Sequence, residues 1–293
     1  MIVWIASYPK SGNTWVRTII NQIIFNDLKQ KDSVFDDLSR IRRYPSKIDM
    51  TKMPTLPNSS SFNNQQKKEI IDFTIKNWAI SQEKINQNNK TNILKTHNML
   101  CNLNLDGKNY SFTGLDNTIG VIHVVRDPRN VVTSIKNHFS LNTEEESVKM
   151  ICDKFNWTGL SNNEVPQLLS SWENHYNSWK RFPKNYLLVK YEDMISDTKK
   201  EIFKIVDFLS NFFEFNKSEN IINEIIKNTS FENLKDLENK GKFKGNSFNK
   251  ITGKKNTFFN LGPKNNWRKL LKKENIIKIE KIFTKEMEEL GYL

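Results

Sequence analysis

An α/β fold built on a central parallel sheet flanked by helices is what this chain predicts, and three features predict it. Short apolar runs alternate along the sequence with amphipathic stretches of helical period. The runs are apolar throughout rather than at every second residue, the pattern of strands covered on both faces. Polar residues of catalytic type gather just after the runs, at the carboxyl ends of the strands, where open parallel sheets bind their ligands.

The four runs are Ile2–Ser7, Ile93–His97, Val121–Arg126 and Tyr186–Tyr191. Each is rich in Val, Ile or Leu and of strand length. Between them, Val16, Ile19, Ile20, Ile23 and Ile24 mark one helical face. A second face runs through Leu168, Leu169, Trp172, Tyr176 and Trp179, with Pro166 at a first-turn position. Ile202, Ile205, Val206 and Leu209 make a third, and Ile279, Phe283, Met287 and Leu290 a fourth. All four read as core packing. Two stretches lack a period: residues 36–66, rich in Asp, Arg, Pro, Ser and Asn, and residues 238–266, rich in Gly, Lys and Phe. Loops this long in a compact domain are functional or disordered. With no internal repeat and no dividing linker, residues 1–293 read as one domain.

Composition sets the outer bounds. With 37% hydrophobic and 11% aromatic residues the chain can bury a full core. No apolar run approaches the roughly 18–20 residues of a bilayer span, so no membrane span is expected. The start, Met1-Ile2-Val3-Trp4, lacks the pattern of a secretory signal. Cys101 and Cys152 match no metal or redox spacing, and a reducing cytoplasm is the expected compartment. The net charge of +12 suits an anionic partner. Lysine and asparagine are abundant throughout, however, and no nucleic-acid motif accompanies the charge, so nucleic acid is not an expected partner.

Three segments carry chemistry. The first strand runs into Ser7-Tyr8-Pro9-Lys10-Ser11-Gly12-Asn13-Thr14-Trp15 and then a helix. Gly12 permits a tight path, the free N–H groups of the helix start point at an anion, and Lys10, Ser11 and Thr14 add a charge and two hydroxyls. This is a phosphate cradle without the G-x-x-x-x-G-K-[ST] of nucleotide hydrolases. Lys95-Thr96-His97 closes the second strand, and His97 can take a proton near neutral pH. Val124-Val125-Arg126-Asp127-Pro128-Arg129-Asn130 closes the third and leads into a helix bearing Ser134. Arg126 can fork onto a phosphate, with Ser134 as a second donor. Each segment also has a plain structural reading: a strand–helix turn, a core histidine, an Arg–Asp surface pair.

Taken together and in order, these segments resemble the sulfotransferases that use PAPS (3′-phosphoadenosine-5′-phosphosulfate). Tyr8 to Trp15 is similar to their 5′-phosphosulfate loop, Lys95-Thr96-His97 to their catalytic segment, and Arg126 with Ser134 to their 3′-phosphate pair. Tyr191-Glu192-Asp193-Met194 resembles the stretch whose tyrosine meets the adenine, and Thr229-Ser230-Phe231 a later adenine contact. Phe283 to Tyr292 resembles the last helix. The resemblance implies in-line transfer of a sulfuryl group from PAPS to a hydroxyl or amine of a small molecule, leaving PAP, with no metal. His97 would be the general base, Lys10 and Lys95 would meet developing charge, and Ser11, Gly12, Asn13 and Thr14 would hold the 5′-phosphate while Trp15 stacks on the adenine.

The chain departs from the family at one conspicuous place. Gly262 and Trp267 keep the spacing of its last cofactor segment, but Asn260 and Leu261 stand where Arg and Lys are usual. Lys254, Lys255 and Lys264 are the candidates to replace that charge. The dimer motif of many animal members is not recognisable after Trp267, so the sequence leaves oligomeric state open. Two alternatives remain: a P-loop kinase-like nucleotide-binding protein, and an inactive homologue that binds PAPS or PAP. The acceptor site is expected from residues 36–66 and Phe139–Trp157, with Tyr44, Phe139, Phe155 and Trp157 as aromatic candidates.

Overall fold

The structure is a computed structural model that describes residues 1–25, 34–35, 38–50, 62–160, 164–245, 247–249 and 252–293. In chain order its elements are β1 (Ile2–Ser7), α1 (Asn13–Phe25), α2 (Asn64–Asn86), β2 (Asn92–Thr96), β3 (Asn102–Leu105), β4 (Lys108–Ser111), β5 (Thr118–Val125), α3 (Pro128–Phe139) and α4 (Glu144–Cys152). Then follow β6 (Trp157–Thr158), β7 (Gln167–Leu168), α5 (Trp172–Lys180), β8 (Tyr186–Lys190), α6 (Tyr191–Ser196), α7 (Thr198–Leu209), α8 (Glu219–Asn228), α9 (Phe231–Asn239), α10 (Trp267–Leu270) and α11 (Lys273–Leu290). The fold is α/β: a parallel sheet of order β2-β1-β5-β8, flanked by helices.

The four predicted strands are these four, with ends shifted by a few residues. His97 lies one residue beyond β2, and Tyr191 opens α6 instead of ending β8. The second predicted helix starts later than its apolar stripe. Leu168 belongs to the short ladder of β6 with β7, Ser170 is left-handed at φ 59°, and the Ser171 hydroxyl caps α5 by accepting the Asn174 N–H. An apolar stripe locates the buried face, whereas the cap sets where the helix begins. Helix α2 starts inside the stretch read as irregular, where Asn63 and Gln66 form a reciprocal capping box. Residues 36–37 and 51–61 of that stretch lie outside the described residues.

The chain divides into two compact units. The first contains Met1–Tyr8, Arg42–His123 and Asp153–Leu187. Its core gathers Trp4, Tyr44, Trp78, Phe112 and Trp179 around Ile2, Leu94 and Val121. The Trp4 indole donates to Thr118 Oγ1 at 2.8 Å, so even the polar edge of the largest ring is satisfied. Truncating a buried Trp of this kind to Ala costs about 3–5 kcal/mol. Tyr44, one of the aromatics expected at the acceptor site, is a core residue: its ring packs on Trp4 and Phe112, and its hydroxyl reaches Trp78 O at 2.9 Å.

The second unit contains Pro9–Ile41, Val124–Cys152 and Leu188–Leu293. It has its own aromatic cluster of Phe35, Phe243 and Phe259 with Leu234 and Leu237, onto which Trp15, Phe231 and Phe258 pack. Residues 238–266 are tied down in their described parts. The Glu238 carboxylate accepts from the N–H groups of Phe258 and Phe259, and Asn256 donates to Ser140 Oγ at 2.8 Å. Residues 246 and 250–251 lie outside the described set.

Candidate active site

The first group of candidate residues sits in the first unit, at the end of β2. Side chains alternate along a strand. Leu94 and Thr96 are buried, which turns Lys95 and His97 together toward the opposite face. Lys95 Nζ consequently lies 2.7 Å from His97 Nε2. The other ring nitrogen, Nδ1, lies 2.7 Å from the Ser7 carbonyl oxygen and 3.2 Å from its hydroxyl. A carbonyl oxygen can only accept, so Nδ1 carries the proton and Nε2 presents its lone pair. Burial, and then the Lys95 charge, push the His97 imidazolium well below its usual range. His97 is therefore neutral, with its tautomer fixed.

Helix α5 holds the turn that carries His97. The Trp179 indole donates to Asn98 O at 2.9 Å, and the Ser178 hydroxyl accepts the Leu100 N–H at 3.0 Å. His175, on the same helix, is hydrogen-bonded to the His97 backbone, and its pKa falls to about 3 through burial. Tyr8 meets the His175 ring edge-on at 5.6 Å. The sequence offered no signal for His175: an isolated histidine in an amphipathic helix reads as packing.

The second group lies in the second unit, around the loop after β1. Lys10 adopts a left-handed φ of 67°, and Gly12 a φ of 101°. A Cβ on Gly12 would come within 2.7 Å of the Tyr191 ring, so only glycine lets the loop approach that ring. Helix α1 begins at Asn13, and the N–H groups of Asn13, Thr14 and Trp15 have no acceptor within their own helix. Among the described residues Ser11 Oγ and Trp15 Nε1 are buried without a hydrogen-bond partner. Lys10 Nζ sits 3.8 Å from the centre of the Phe258 ring. Burial and the nearby Arg126, opposed by Glu238, lower its pKa to about 7.

Arg126 lies just past β5 and is 6% exposed. Its guanidinium stacks on Tyr191 at 3.9 Å and donates to the Lys10 carbonyl at 3.1 Å and Ser134 Oγ at 3.2 Å. It forms no ion pair among the described residues, and its Nε is buried without a partner. The Arg–Asp pair of the plain structural reading exists, but with Arg129: Asp127 caps α3 and binds Arg129 at 2.7 Å. Glu192 is engaged elsewhere: it accepts from Asp127 N at 3.1 Å and Tyr292 Oη at 3.0 Å.

Asn265 completes this corner, donating to Ser134 Oγ and Asn130 O, each at 3.0 Å. Neither asparagine stands out in sequence. Phe231 opens α9, and its ring fills the space beside Gly262, where an added Cβ would clash at 2.1 Å. Thr229 is fully buried with its hydroxyl on Ile225 O. Trp15 meets Tyr191 edge-on at 5.8 Å. Of the lysines considered as replacements at Asn260-Leu261, Lys254, Lys255 and Lys264 are all exposed, while Lys235 of α9 reaches the Asn260 carbonyl at 3.3 Å. Phe155 is 82% exposed, and Trp157 packs partly against the first unit's core.

The second unit carries a glycine loop beside a buried arginine with no ion pair among the described residues, and the first a neutral histidine beside a lysine, candidate residues of a group-transfer enzyme. The family model for the sulfotransferase domain matches residues 2–291, and the chain belongs to that family. Among curated relatives, it is 22% identical to an amine sulfotransferase of Oryctolagus cuniculus, over 98% of this chain and 81% of that protein. It is 25% identical to a flavonol 3-sulfotransferase of Flaveria bidentis, over 99% of this chain and 82% of the plant protein. A solved structure of retinol dehydratase in complex with retinol and PAP shares the fold. Its TM-score is 0.61 at 21% identity, over 98% of this chain and 81% of that one. The family match leaves the kinase-like alternative without support. Among the described residues no helix is long and apolar enough to cross a membrane, and no three His, Cys, Asp or Glu residues are grouped to hold a metal ion.

Proposed function

We propose that residues 1–293 act as a single sulfotransferase domain that moves the sulfuryl group of PAPS in line onto a hydroxyl or amine of a small-molecule acceptor, with His97 as general base. One observation carries the donor half: Arg126 is buried, has no carboxylate partner among the described residues and stacks on an aromatic ring. A buried charge needs a partner, and the 3′-phosphate of the donor supplies one. Ser134, held by Asn265, is the second donor to that phosphate.

The remaining roles follow from residue chemistry. Ser11 Oγ, buried without a partner among the described residues, and the start of α1 serve the 5′-phosphate. Trp15 and Tyr191, with Phe231 and Thr229 at the start of α9, serve the adenine side, and Gly262 makes room for Phe231. His97 Nε2 takes the acceptor proton as the acceptor's oxygen or nitrogen bonds to sulfur. The bond from sulfur to the bridging phosphate oxygen breaks, and its electron pair stays on the phosphate. Lys10, protonated, meets that charge. Lys95 covers Nε2 in the free enzyme and is released when sulfuryl oxygens offer its ammonium better acceptors. The two cysteines, in no disulfide among the described residues, fit a reducing cytoplasm.

The deciding experiment is transfer of labelled sulfate from PAPS across a panel of phenols, alcohols and amines, with His97→Ala as control. Turnover by the native protein and loss of about two to four orders of magnitude in the variant are expected. PAP binding without turnover would instead make the protein an inactive homologue, and wild-type rates in His97→Ala would remove the base assignment.

A further inference from the structure

The acceptor side of the first unit has a cation that the transfer chemistry does not use. The backbone of Arg43 bridges Lys95 in parallel register: Lys95 N donates to Arg42 O at 3.0 Å, and Tyr44 N donates to Lys95 O at 2.8 Å. Residues bridged in this way project from the same face. Tyr44, the next residue, turns into the core, so Arg43 turns outward on the face that carries Lys95 and His97. All three are half-buried, and Arg43 Nε is buried without a hydrogen-bond partner among the described residues. Among the described residues the guanidinium makes one ion pair, at 2.9 Å to Glu164, whose side chain is 56% exposed. A pair of that kind is worth about 0–1 kcal/mol and yields readily to a better-placed anion. The Arg43 charge is also felt at the His97 ring, adding to that of Lys95.

Resting on the sulfotransferase reading, we propose that Arg43 is a specificity residue that selects acceptors carrying an anionic group, such as a carboxylate, on the same molecule as the attacking hydroxyl or amine. With Lys95 assigned to the sulfuryl oxygens and His97 to the acceptor proton, Arg43 is a cation on that face able to bind a second acceptor group. The guanidinium suits it: Nε and one Nη form the fork that grips a carboxylate or phosphate at two points. Glu164 then acts as a placeholder that the acceptor displaces. A site built for a charged group rejects the analogue that lacks it, because the buried donor is left unpaired.

The test uses the full chain, PAPS and matched acceptor pairs: phenol with 4-hydroxyphenylacetate, benzyl alcohol with 4-(hydroxymethyl)benzoate, and benzylamine with 4-(aminomethyl)benzoate. In at least one pair the carboxylate member should have kcat/KM roughly tenfold above its neutral partner, and Arg43→Gln should lower that ratio by about tenfold. Glu164→Gln, which frees Arg43, should raise it. A ratio near one in every pair, or one that Arg43→Gln leaves alone, overturns the proposal. If none of these molecules turns over, the His97 ring resonances of the PAP complex decide. A shift on adding a carboxylate probe that vanishes in Arg43→Gln supports the proposal, and no response to any carboxylate probe overturns it. Failure of the donor-binding reading would look different, since PAP would then show no binding to the native protein by calorimetry, and PAP binding with no turnover of any acceptor in the phenol, alcohol and amine panel would mark an inactive homologue.

Discussion

Lys95 Nζ stands 2.7 Å from His97 Nε2, while His97 Nδ1 donates its proton to the Ser7 carbonyl at the same distance. The two contacts have opposite effects on the base. The carbonyl fixes the tautomer that leaves Nε2 able to accept a proton. Burial first, and then the ammonium, suppress imidazolium in the free enzyme and keep Nε2 unprotonated down to acidic pH.

Lys95→Met should therefore change the pH profile as well as the rate. With the neighbouring cation gone, the His97 pKa rises toward its ordinary value, so the acid limb of kcat/KM moves to higher pH. On the role proposed for Lys95 at the sulfuryl oxygens, kcat should fall at the same time. A pH–rate series from about 4 to 9 checks both, and an unmoved acid limb would show that Lys95 does not act on His97.

Lys10, lowered to about 7 by burial and Arg126, should take up a proton when an anionic nucleotide binds. The bound anion raises its pKa, so affinity for PAP is full below pH 7 and weakens as pH climbs through 7 toward the bound-state value. Calorimetry at pH 7 in buffers of different ionisation enthalpy should register uptake of roughly half a proton, by linkage. Lys10→Arg, permanently charged, should abolish it.

Gly12→Ala introduces a Cβ within 2.7 Å of the Tyr191 ring at a φ of 101°. Strain of about 1–3 kcal/mol is expected, together with displacement of Tyr191 from beneath Arg126. PAP affinity should drop by at least about tenfold while far-UV circular dichroism stays native. Unaltered affinity would show that the loop does not need its close approach to Tyr191.

Arg126→Ala tests the 3′-phosphate assignment by comparing two ligands. Loss of a hydrogen bond to a charged group costs about 1.5–3 kcal/mol, or about ten- to a hundredfold in the dissociation constant of PAP. Adenosine 5′-phosphate, which lacks the 3′ group, should lose far less. Equal losses for both would refute the assignment. Asn265→Ala should show the same selectivity more weakly, because it only steadies Ser134.

Much of this was legible in the chain before any geometry. Four apolar runs gave the sheet strands because continuous burial on both faces leaves a continuous apolar signature, and Lys10, Lys95, His97 and Arg126 became candidates because they lie at or just past the ends of those runs. The hairpin of β3 and β4 escaped notice, since its pattern is mostly exposed or half-exposed, and so did α2, whose start depends on the Asn63–Gln66 cap rather than on an apolar stripe.

Tertiary structure decided what no local pattern encodes. That Asp127 belongs to Arg129 and leaves Arg126 without a carboxylate follows from where helix α3 begins and how Arg129 folds back onto its cap. His175 behind His97, Asn265 behind Ser134 and Arg43 beside Lys95 join residues 78, 131 and 52 positions apart in sequence. Each pair exists only because helices and bridges bring distant segments together. The sequence determined which side chains are available at the strand ends. Packing determined which of them keep a partner and which are left open to a ligand, because pairing is settled by distance in space and not by spacing along the chain.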